Sequence, residues 1–394
     1  MTDDIVITGM GIVSPIGCGE TAFWESLCSG RSAAAPVDGL NTTDLSRKIA
    51  CQVREPMDTV GGVGRASKLA VTAARQAVSD ARIDPSDLDP TRTYTIVGTT
   101  MGETEFIEEG LDAQASDWLS SEQWSRILTG RPGSISAHVR SDLKLGGYAA
   151  DLYGACAAGN MAIALARRHL LDGRGDVALA GGADGFSKLA FIGFMRLRVM
   201  AAEVCRPFDQ QRDGLLVGEG ATIFVLERES TARARGAVIR ARVLGAGLTC
   251  ESYHPTRPDP NGEGLARATA QALRGAGLTP SDIDYICAHG TGTPQNDAIE
   301  VTMMDRCFPK GVCFSSIKAL TGHTMGAAAA MEAGACVLSL QHQTLIPTWH
   351  LDTVLQPCSL DAITGSTRVG PVRYVVNNSA GFGGYNSSLV LAVA

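Results

Sequence analysis

The chain has 394 residues, of which 45% are hydrophobic and 19% charged, a balance that indicates a globular protein of two or three domain-sized units and excludes a disordered one. Its formal net charge of −7 argues against a basic surface that would bind nucleic acid. Met1 is followed by Thr2 and Asp3 rather than by a basic and then apolar leader, and no uncharged apolar run reaches 18 residues. We therefore expect no membrane span, no secretion signal and a cytoplasmic location.

The cysteines number eleven and are scattered, with no Cys-x-x-Cys pair and no Cys/His spacing typical of a zinc site. Such a distribution is typical of small buried hydrophobic residues in a cytoplasmic protein. At most one cysteine is expected to be reactive, and neither a metal nor a bound cofactor is expected.

Short apolar strands alternate with helices along the chain. The predicted strands are 5–8, 93–97, 176–182, 221–227, 285–288 and 389–393, and the predicted helices are 160–171, 263–274 and 326–341. Apolar strands between helices indicate sheets that are covered on both faces, so the predicted class is α/β.

Two segments of the chain repeat each other. Residues 81–89 (ARIDPSDLD) match residues 276–284 (AGLTPSDID), an offset of 195 residues or about half the chain. An alanine-rich helical stretch precedes each copy, and a β-branched or aromatic run follows it. The match indicates an internal duplication, and the absence of a Pro/Ser-rich linker predicts one compact body.

Cys156 is the candidate nucleophile. An extended stretch ends at Tyr153, and the small residues 154–159 (GACAAG) then lead into a helix that is apolar nearly all round and therefore buried. The amino end of a helix lowers the pKa of a thiol, and small neighbours allow backbone N–H groups to face an oxyanion. The alternative is a packing cysteine at a tight turn.

Two histidines stand where sites are commonly built. His289 follows the predicted strand 285–288, and strand ends carry many sites in α/β proteins, although a single histidine there can be structural. Lys318 and His323 lie in the loop that opens the alanine-rich helix containing Glu332. An imidazole at a helix start is kept neutral by the positive end of the helix dipole.

Two further segments are rich in glycine. Residues 381–384 (GFGG) place the bulky ring of Phe382 between glycines, which predicts a loop that can swing this ring or, alternatively, a hairpin turn. Residues 206–221 combine fixed charges with glycines before a strand, and we interpret them as scaffold with ion pairs.

Together, these five segments and residues 5–17 (IVITGMGIVSPIG) resemble the β-ketoacyl-acyl carrier protein synthases of the thiolase superfamily, and their order along the chain agrees with that family. The resemblance is to the decarboxylating elongation type, which includes type II polyketide ketosynthases. The resemblance covers essentially the whole chain. It implies a five-layered α/β/α/β/α fold with internal duplication, in which residues 1–240 carry the cysteine and residues 241–394 carry both histidines and the GFGG loop.

The resemblance also implies roles. Cys156 would accept an acyl group from the phosphopantetheine thiol of an acyl carrier protein. His289 and His323 would donate hydrogen bonds to the enolate oxygen formed when a malonyl-carrier thioester loses CO2. The backbone N–H groups of Cys156 and Phe382 would hold the acyl oxyanion, with the Phe382 ring as gate to the acyl pocket.

Supporting residues follow from the same match. Lys318 and Glu332 correspond to an ion pair that would position His323. Thr291 and Thr293 correspond to the residues that hydrogen-bond the pantetheine amides.

Asp297 and Glu300 correspond to acidic residues with a structural role. Because the carrier protein is acidic in this family, we expect a local basic patch of Arg65, Lys68 and Arg206, unless these residues only form a solvated helix face. The dimer that is usual in this family would be a homodimer or a heterodimer with a chain-length subunit.

Two positions depart from the family pattern. Ala380 stands where a second Phe is usual, and Ala329 stands where Gly is usual. Ala380 removes bulk beside the pocket and predicts an altered acyl range, which points to a polyketide or polyene pathway rather than housekeeping fatty-acid synthesis.

Three alternative functions compete. A tunnel-shaping partner subunit would lack the cysteine, and a thiolase-fold acyltransferase that does not decarboxylate would not need both histidines. Gly9 and Gly11 after a strand suggest a dinucleotide oxidoreductase, but Ser14 takes the third glycine position and Pro15 follows instead of a helix.

Overall fold

In the computed structural model of the chain, the described residues are 3–57, 63–114 and 120–394. The strands are β1 Ile5–Ser14, β2 Gly17–Cys18, β3 Ala34–Pro36, β4 Ile49–Cys51, β5 Thr93–Thr99, β6 Tyr148–Tyr153, β7 Val177–Asp184, β8 Gly220–Arg228, β9 Ala241–Cys250, β10 Tyr285–Cys287, β11 Cys313–Ser315, β12 Thr344–Leu345, β13 Asp361–Ala362, β14 Arg368–Val369, β15 Tyr374–Ala380 and β16 Tyr385–Ala392.

The helices are α1 Glu20–Ser29, α2 Arg65–Asp80, α3 Thr104–Gln114, α4 Ser121–Thr129, α5 Ser134–Asp142, α6 Ala158–Leu171, α7 Lys188–Arg196, α8 Glu229–Ala234, α9 Glu263–Ala276, α10 Pro294–Cys307, α11 Lys318–Thr321 and α12 Ala328–His342. None of these helices is long and apolar enough to cross a membrane.

The first half of the chain builds a five-stranded arrangement in the order β6-β5-β7-β8-β1. Strand β5 is parallel to β6 and β7, whereas β8 is antiparallel to β7 and β1. Helix α2 lies between β1 and β5 in the chain, and α6 lies between β6 and β7.

The second half repeats this topology in the order β11-β10-β15-β16-β9. Strand β10 is parallel to β11 and β15, and β16 is antiparallel to β15 and β9. Helices α9 and α12 occupy the places of α2 and α6. The predicted duplication is confirmed, and each copy of the repeated segment carries a short 3-10 turn, at Pro85–Asp87 and Pro280–Asp282.

Helices separate and cover the two halves. Helices α2 and α5 pack on the strands of the first half, and α9 packs on those of the second with α10 against it. Helices α6 and α12 contact each other and the strands of both halves, so they form the central layer. The predicted α/β/α/β/α layering is confirmed, although β1 and β9 pair at their ends and join twelve of the sixteen described strands into one sheet. The division at 240/241 falls before β9 and stays a prediction.

The predicted strands and helices are all present, with some bounds longer than expected. Strand β1 continues through Gly9 and Gly11 because the α2 backbone lies directly against them: a Cβ added at Gly11 would lie 1.9 Å from the Ala73 carbonyl oxygen. These glycines therefore serve close strand–helix packing inside a strand, and the dinucleotide-binding alternative is wrong.

The same contact recurs in the second half, as the duplication requires. A Cβ added at Gly245 or Gly247 of β9 would lie 2.0 or 1.9 Å from the carbonyl oxygens of Ala272 and Ala268 in α9. A helix backbone cannot move away from one residue without losing its other contacts with the sheet.

We predict that Gly247→Ala lowers the free energy of unfolding by about 1–3 kcal/mol, because the added methyl overlaps a backbone oxygen. Gly275→Ala is the matched control on the exposed side of α9, where an added Cβ has 3.8 Å of clearance. It should change stability by less than about 1 kcal/mol and in the stabilising direction. Thermal unfolding of both variants checks this, and equal effects would contradict it.

Candidate active site

Cys156 lies in a tight 3-10 turn, Ala155–Ala157, between β6 and α6. Ala155 adopts a left-handed conformation with φ of 48°, which presents Cys156 at the amino end of α6 with 7% of its surface exposed. A Cβ added at Gly381 would lie 3.0 Å from the Cys156 backbone nitrogen. Glycine at 381, which the sequence did not single out individually, therefore leaves that N–H accessible.

The structure brings His289 and His323 to this thiol. The Cys156 Sγ and one ring nitrogen of each histidine all lie within 4.8 Å of one another. The two rings are nearly perpendicular, at 81°, with centroids 5.4 Å apart, and both are buried. Residues from the two halves of the chain thus meet at the central layer.

His323 is neutral and carries its proton on Nε2. The Met325 backbone N–H donates to Nδ1 at 3.1 Å, so Nδ1 acts as acceptor. Burial, followed by the charge of Lys318, holds the pKa of His323 well below its usual range. The Met325 contact comes from the turn before α12, and the sequence carried no signal for it.

His289 has the same protonation pattern. Its Nδ1 lies 3.3 Å from both the Lys318 Nζ and the Ser379 Oγ, and a lysine ammonium can only donate. The proton of the neutral ring is therefore on Nε2. Burial, and then the charges of Lys318 and His323, hold the pKa of His289 well below its usual range. Ser379, on β15, is a second residue that sequence reasoning missed.

Lys318 and Glu332 form a fully buried ion pair, and Lys318 also donates to the His289 carbonyl oxygen. Lys318 contacts His289 directly, because Cys287 of β10 pairs in parallel with Ser315 of β11 and the residues just beyond these strand ends are neighbours. Its charge also acts on His323, and the predicted positioning of His323 by this pair stays a prediction.

The environment of the thiol differs from the expectation. Burial raises the pKa of Cys156 to about 12, with Lys318 opposing this shift and Asp184 and Glu332 adding to it. The expected lowering by the helix end is therefore outweighed by desolvation. Since both imidazole Nε2 atoms also carry protons, Cys156, His289 and His323 form a set of hydrogen-bond donors in the resting enzyme. The same three residues are the one group in the described part of the chain whose atoms lie close enough together to hold a metal ion.

Asp297 and Glu300 organise the loop after β10 from inside α10. Glu300 accepts from the His289 and Gly290 backbone N–H groups at 2.7 and 2.8 Å. Asp297 accepts from the Thr291 N–H at 2.9 Å. These contacts match the supporting role that the resemblance implied.

Thr291 and Thr293 lie beside the trio. Their hydroxyl oxygens are 2.8 Å apart, and both residues line the same cavity as Cys156. This cavity of about 250 Å³ is the space in which a substrate could reach the thiol.

The GFGG loop joins the antiparallel strands β15 and β16. Phe382 is 37% exposed, lines the cavity and packs against Phe194, with ring centroids 5.7 Å apart. The Gly383 N–H donates to the Pro255 carbonyl oxygen at 2.7 Å. The loop therefore makes the predicted hairpin connection, with its aromatic ring at the cavity wall.

Of the three predicted docking residues, two form ion pairs within the chain. Arg65 pairs at 2.8 Å with the fully buried Glu219 while its own side chain stays 34% exposed, and its docking role stays a prediction. Arg206 pairs with Asp352 at 3.2 Å. Lys68 lines a separate groove that also contains acidic side chains, and its docking role stays a prediction.

Known proteins resemble this chain over its length. The family models described as Beta-ketoacyl synthase, N-terminal domain and C-terminal domain match residues 2–232 and 240–352. The 3-oxoacyl-[acyl-carrier-protein] synthase 2 of Coxiella burnetii is 31% identical over 98% of each chain. The tetracenomycin polyketide synthase ketoacyl synthase alpha subunit of Streptomyces glaucescens is 33% identical over 98% of this chain and 96% of its own.

Solved structures agree with these relatives. The ishigamide ketosynthase/chain length factor superposes with a TM-score of 0.95 at 36% identity, and AntDE:AntF, a type II PKS acyl-carrier protein in complex with its ketosynthase, does so with 0.92 at 28%. Both matches cover 100% of each chain.

The fold and these matches define a condensing enzyme of the thiolase-like class. The chain belongs to the β-ketoacyl synthase family and is an acyltransferase of the 3-oxoacyl-[acyl carrier protein] synthase type.

We predict that the rate of Cys156 alkylation by iodoacetamide rises roughly tenfold per pH unit from pH 7 to pH 9 without reaching a plateau. The reason is that a thiol whose pKa lies far above this range gains thiolate in proportion to hydroxide. Peptide mass spectrometry measures the rate, and alkylation of the exposed Cys250 in the same sample serves as the internal control for the activity of the reagent. A plateau below pH 8 would show that the helix end outweighs burial.

Proposed function

We propose that this enzyme moves an acyl group from an acyl carrier protein to Cys156, decarboxylates a malonyl-carrier thioester and joins the two into a β-ketoacyl thioester. The observation that carries the proposal is the pair of neutral imidazoles, His289 and His323, each with its proton on Nε2, beside a nucleophilic thiol. Two such donors suit the stabilisation of an enolate oxygen.

In the loading step, Cys156 Sγ bonds to the acyl carbonyl carbon and the bond from that carbon to the pantetheine sulfur breaks. The thiol proton passes to the departing pantetheine sulfur, so the exchange needs no net proton acceptor even though the Cys156 pKa is raised. The oxyanion formed on the way accepts hydrogen bonds from the backbone N–H groups of Cys156 and Phe382, where Gly381 leaves space.

In the condensing step, the bond between the malonyl carboxylate and its α-carbon breaks and CO2 leaves. The electron pair remains as an enolate, whose oxygen accepts hydrogen bonds from His289 and His323. The α-carbon then attacks the acyl-Cys156 carbonyl carbon, and Cys156 leaves as a thiolate that takes a proton from solvent. The low imidazole pKa values suit this step, because a charged imidazolium would hold the malonyl carboxylate and oppose its loss.

We predict that His289→Ala and His323→Ala each slow the condensing step by on the order of a hundredfold or more, since one such donor stabilises the transition state by roughly 3–4 kcal/mol. Acylation should persist in both variants and disappear in Cys156→Ala. Intact-protein mass spectrometry after incubation with acyl-carrier protein, and then with malonyl-carrier protein, follows both steps.

His342→Ala is the matched control, because His342 is exposed and stacks on Trp24 away from the thiol. Stable acylation of the unmodified enzyme without discharge would favour the acyltransferase that does not decarboxylate. Absence of acylation would point to a missing partner subunit or to the wrong carrier protein.

We further propose that the pathway makes a polyketide or polyene. Ala380 lines the cavity beside Phe382 and leaves space where the family usually has a ring. The ishigamide ketosynthase/chain length factor is 36% identical to this chain, and a tetracenomycin polyketide synthase subunit is among the relatives. Fatty-acid elongation is the alternative, since several 3-oxoacyl-[acyl-carrier-protein] synthases are 31–33% identical.

We predict that Ala380→Phe shifts the acyl-chain preference toward smaller or more flexible groups, because the added ring fills space in the cavity. Competition among acyl-carrier proteins of different chain length and unsaturation, read as the distribution of acyl masses on Cys156, measures the preference. An unchanged distribution would show that position 380 does not select the acyl group.

The proposed partners are an acyl carrier protein and a second ketosynthase-like chain. Strand β6 ends the sheet and has no strand on its outer side among the described residues, so its backbone edge is available for pairing. One structural neighbour is the ketosynthase ApeO in complex with its chain length factor ApeC from Xenorhabdus doucetiae. A second copy of this chain would form a homodimer, and a different ketosynthase-like chain-length subunit would form a heterodimer.

A further inference from the structure

The two imidazoles of the active site are held by different kinds of group. The Nδ1 of His323 accepts from a backbone N–H, that of Met325, which a change of side chain does not remove. Among the described residues, the groups within hydrogen-bond distance of the His289 Nδ1 are the side chains of Lys318 and Ser379. The orientation of His289 therefore depends on what these two side chains can donate.

Strand register places one of these side chains on each side of His289. Cys287 of β10 pairs in parallel with Ser315 of β11 on one side and with Asn377 of β15 on the other. His289 and Ser379 each lie two residues beyond their strand's member of the second pair, and parallel strands keep such residues side by side. Ser379 is fully buried, with its Oγ 3.3 Å from the His289 Nδ1.

The ammonium group of Lys318 also serves other acceptors. Its three protons have three acceptors within reach, which are the Glu332 carboxylate, the His289 carbonyl oxygen and the His289 Nδ1. The contact with Nδ1 is the longest of the three, and an ammonium bonds a carboxylate more strongly than it bonds a neutral nitrogen. Ser379 is therefore needed as a second donor to hold the ring of His289 in place.

Ser379 also contacts the turn that carries the nucleophile. Its hydroxyl donates to the Cys156 carbonyl oxygen at 3.0 Å. A hydroxyl has one proton, so at any moment it donates either to this carbonyl or to the His289 Nδ1. Ser379 thus connects Cys156 and His289, which come from opposite halves of the chain.

We propose that Ser379 is a positioning residue of the condensing step, which donates to the His289 Nδ1 and so keeps the Nε2 proton directed at the enolate oxygen. The proposal rests on the proposed function, since it concerns the step in which His289 acts as a donor. Without the hydroxyl, Lys318 alone would hold the ring, and a donor that points away from the developing charge stabilises it less. Acylation of Cys156 does not use this donor and should not depend on the contact.

Ser387 provides a matched control. It pairs with Ser379 across β15 and β16, is equally buried, and donates to the carbonyl oxygen of Ala157, the neighbour of Cys156, at 3.4 Å. Both serines therefore support the nucleophile turn, but of the two only Ser379 lies within hydrogen-bond distance of a histidine.

The test measures two rates by intact-protein mass spectrometry: acylation of Cys156 by acyl-carrier protein, and discharge of the acyl group after malonyl-carrier protein is added. In Ser379→Ala, discharge at saturating malonyl-carrier protein should slow roughly three- to tenfold relative to acylation, as expected for one lost neutral hydrogen bond. The malonyl-carrier concentration that gives half the maximal rate should stay unchanged, because the contact acts in the transition state. In Ser387→Ala, the ratio of the two rates should stay that of the unmodified enzyme.

A double variant separates action through His289 from a general disturbance of the site. In the His289→Ala background, Ser379→Ala should slow discharge by less than about twofold further, because the ring that it positions is already absent. Thermal unfolding midpoints of Ser379→Ala and Ser387→Ala should be similar, since each variant loses one buried hydrogen bond.

Three results would overturn the proposal: an unchanged ratio of discharge to acylation in Ser379→Ala, an equal fall of this ratio in Ser387→Ala, or an undiminished effect of Ser379→Ala in the His289→Ala background. A different result, absence of discharge with the unmodified enzyme, would reject the proposed function itself.

Discussion

Close packing of α6 against α12 is the constraint on which the active site depends. A Cβ added at Gly159 would lie 2.7 Å from the Ala330 backbone nitrogen, and one at Gly182 would lie 2.6 Å from the Gly326 carbonyl oxygen. Small residues let the two central helices begin side by side. Cys156 and the Met325 N–H that orients His323 then face one space, although they come from different halves of the chain.

Burial has two opposite consequences at this site. It keeps both imidazoles neutral, which suits hydrogen-bond donation to an oxyanion, and it keeps the thiol protonated. The same burial makes an unpaired ammonium costly, so Lys318 is stable there only with Glu332 and with acceptors on His289. The ion pair therefore supplies one fixed positive charge next to groups that otherwise remain uncharged until a substrate enters.

Much of this arrangement could be predicted from the sequence, because each of Cys156, His289 and His323 stands where a strand or helix ends within a glycine-rich segment. Apolar periodicity located the elements, and the repeated segment indicated the duplication. The contact of Lys318 with His289 could not be predicted, since it depends on the register between β10 and β11. The direction of the Cys156 pKa shift could not be predicted either, because a sequence shows the helix end but not how completely the surrounding chain excludes water from the thiol. The ion pair of Arg65 could not be predicted for a similar reason: its partner Glu219 is 154 residues away.

The duplication extends to the turn that carries Cys156. Met325–Ala327 precedes α12 as Ala155–Ala157 precedes α6, with φ of 56° at Met325 and 48° at Ala155, which places Gly326 where the first half has Cys156. A Cβ added at Gly326 would lie 2.5 Å from backbone atoms of Thr99 and Thr100, and its N–H is held by Asp184 at 2.6 Å. The second turn therefore has no room for a side chain at position 326. Of the two equivalent turns, only the first has room for a side chain at this position, so the difference between the halves is set by backbone packing as well as by the identity of the residue at 156.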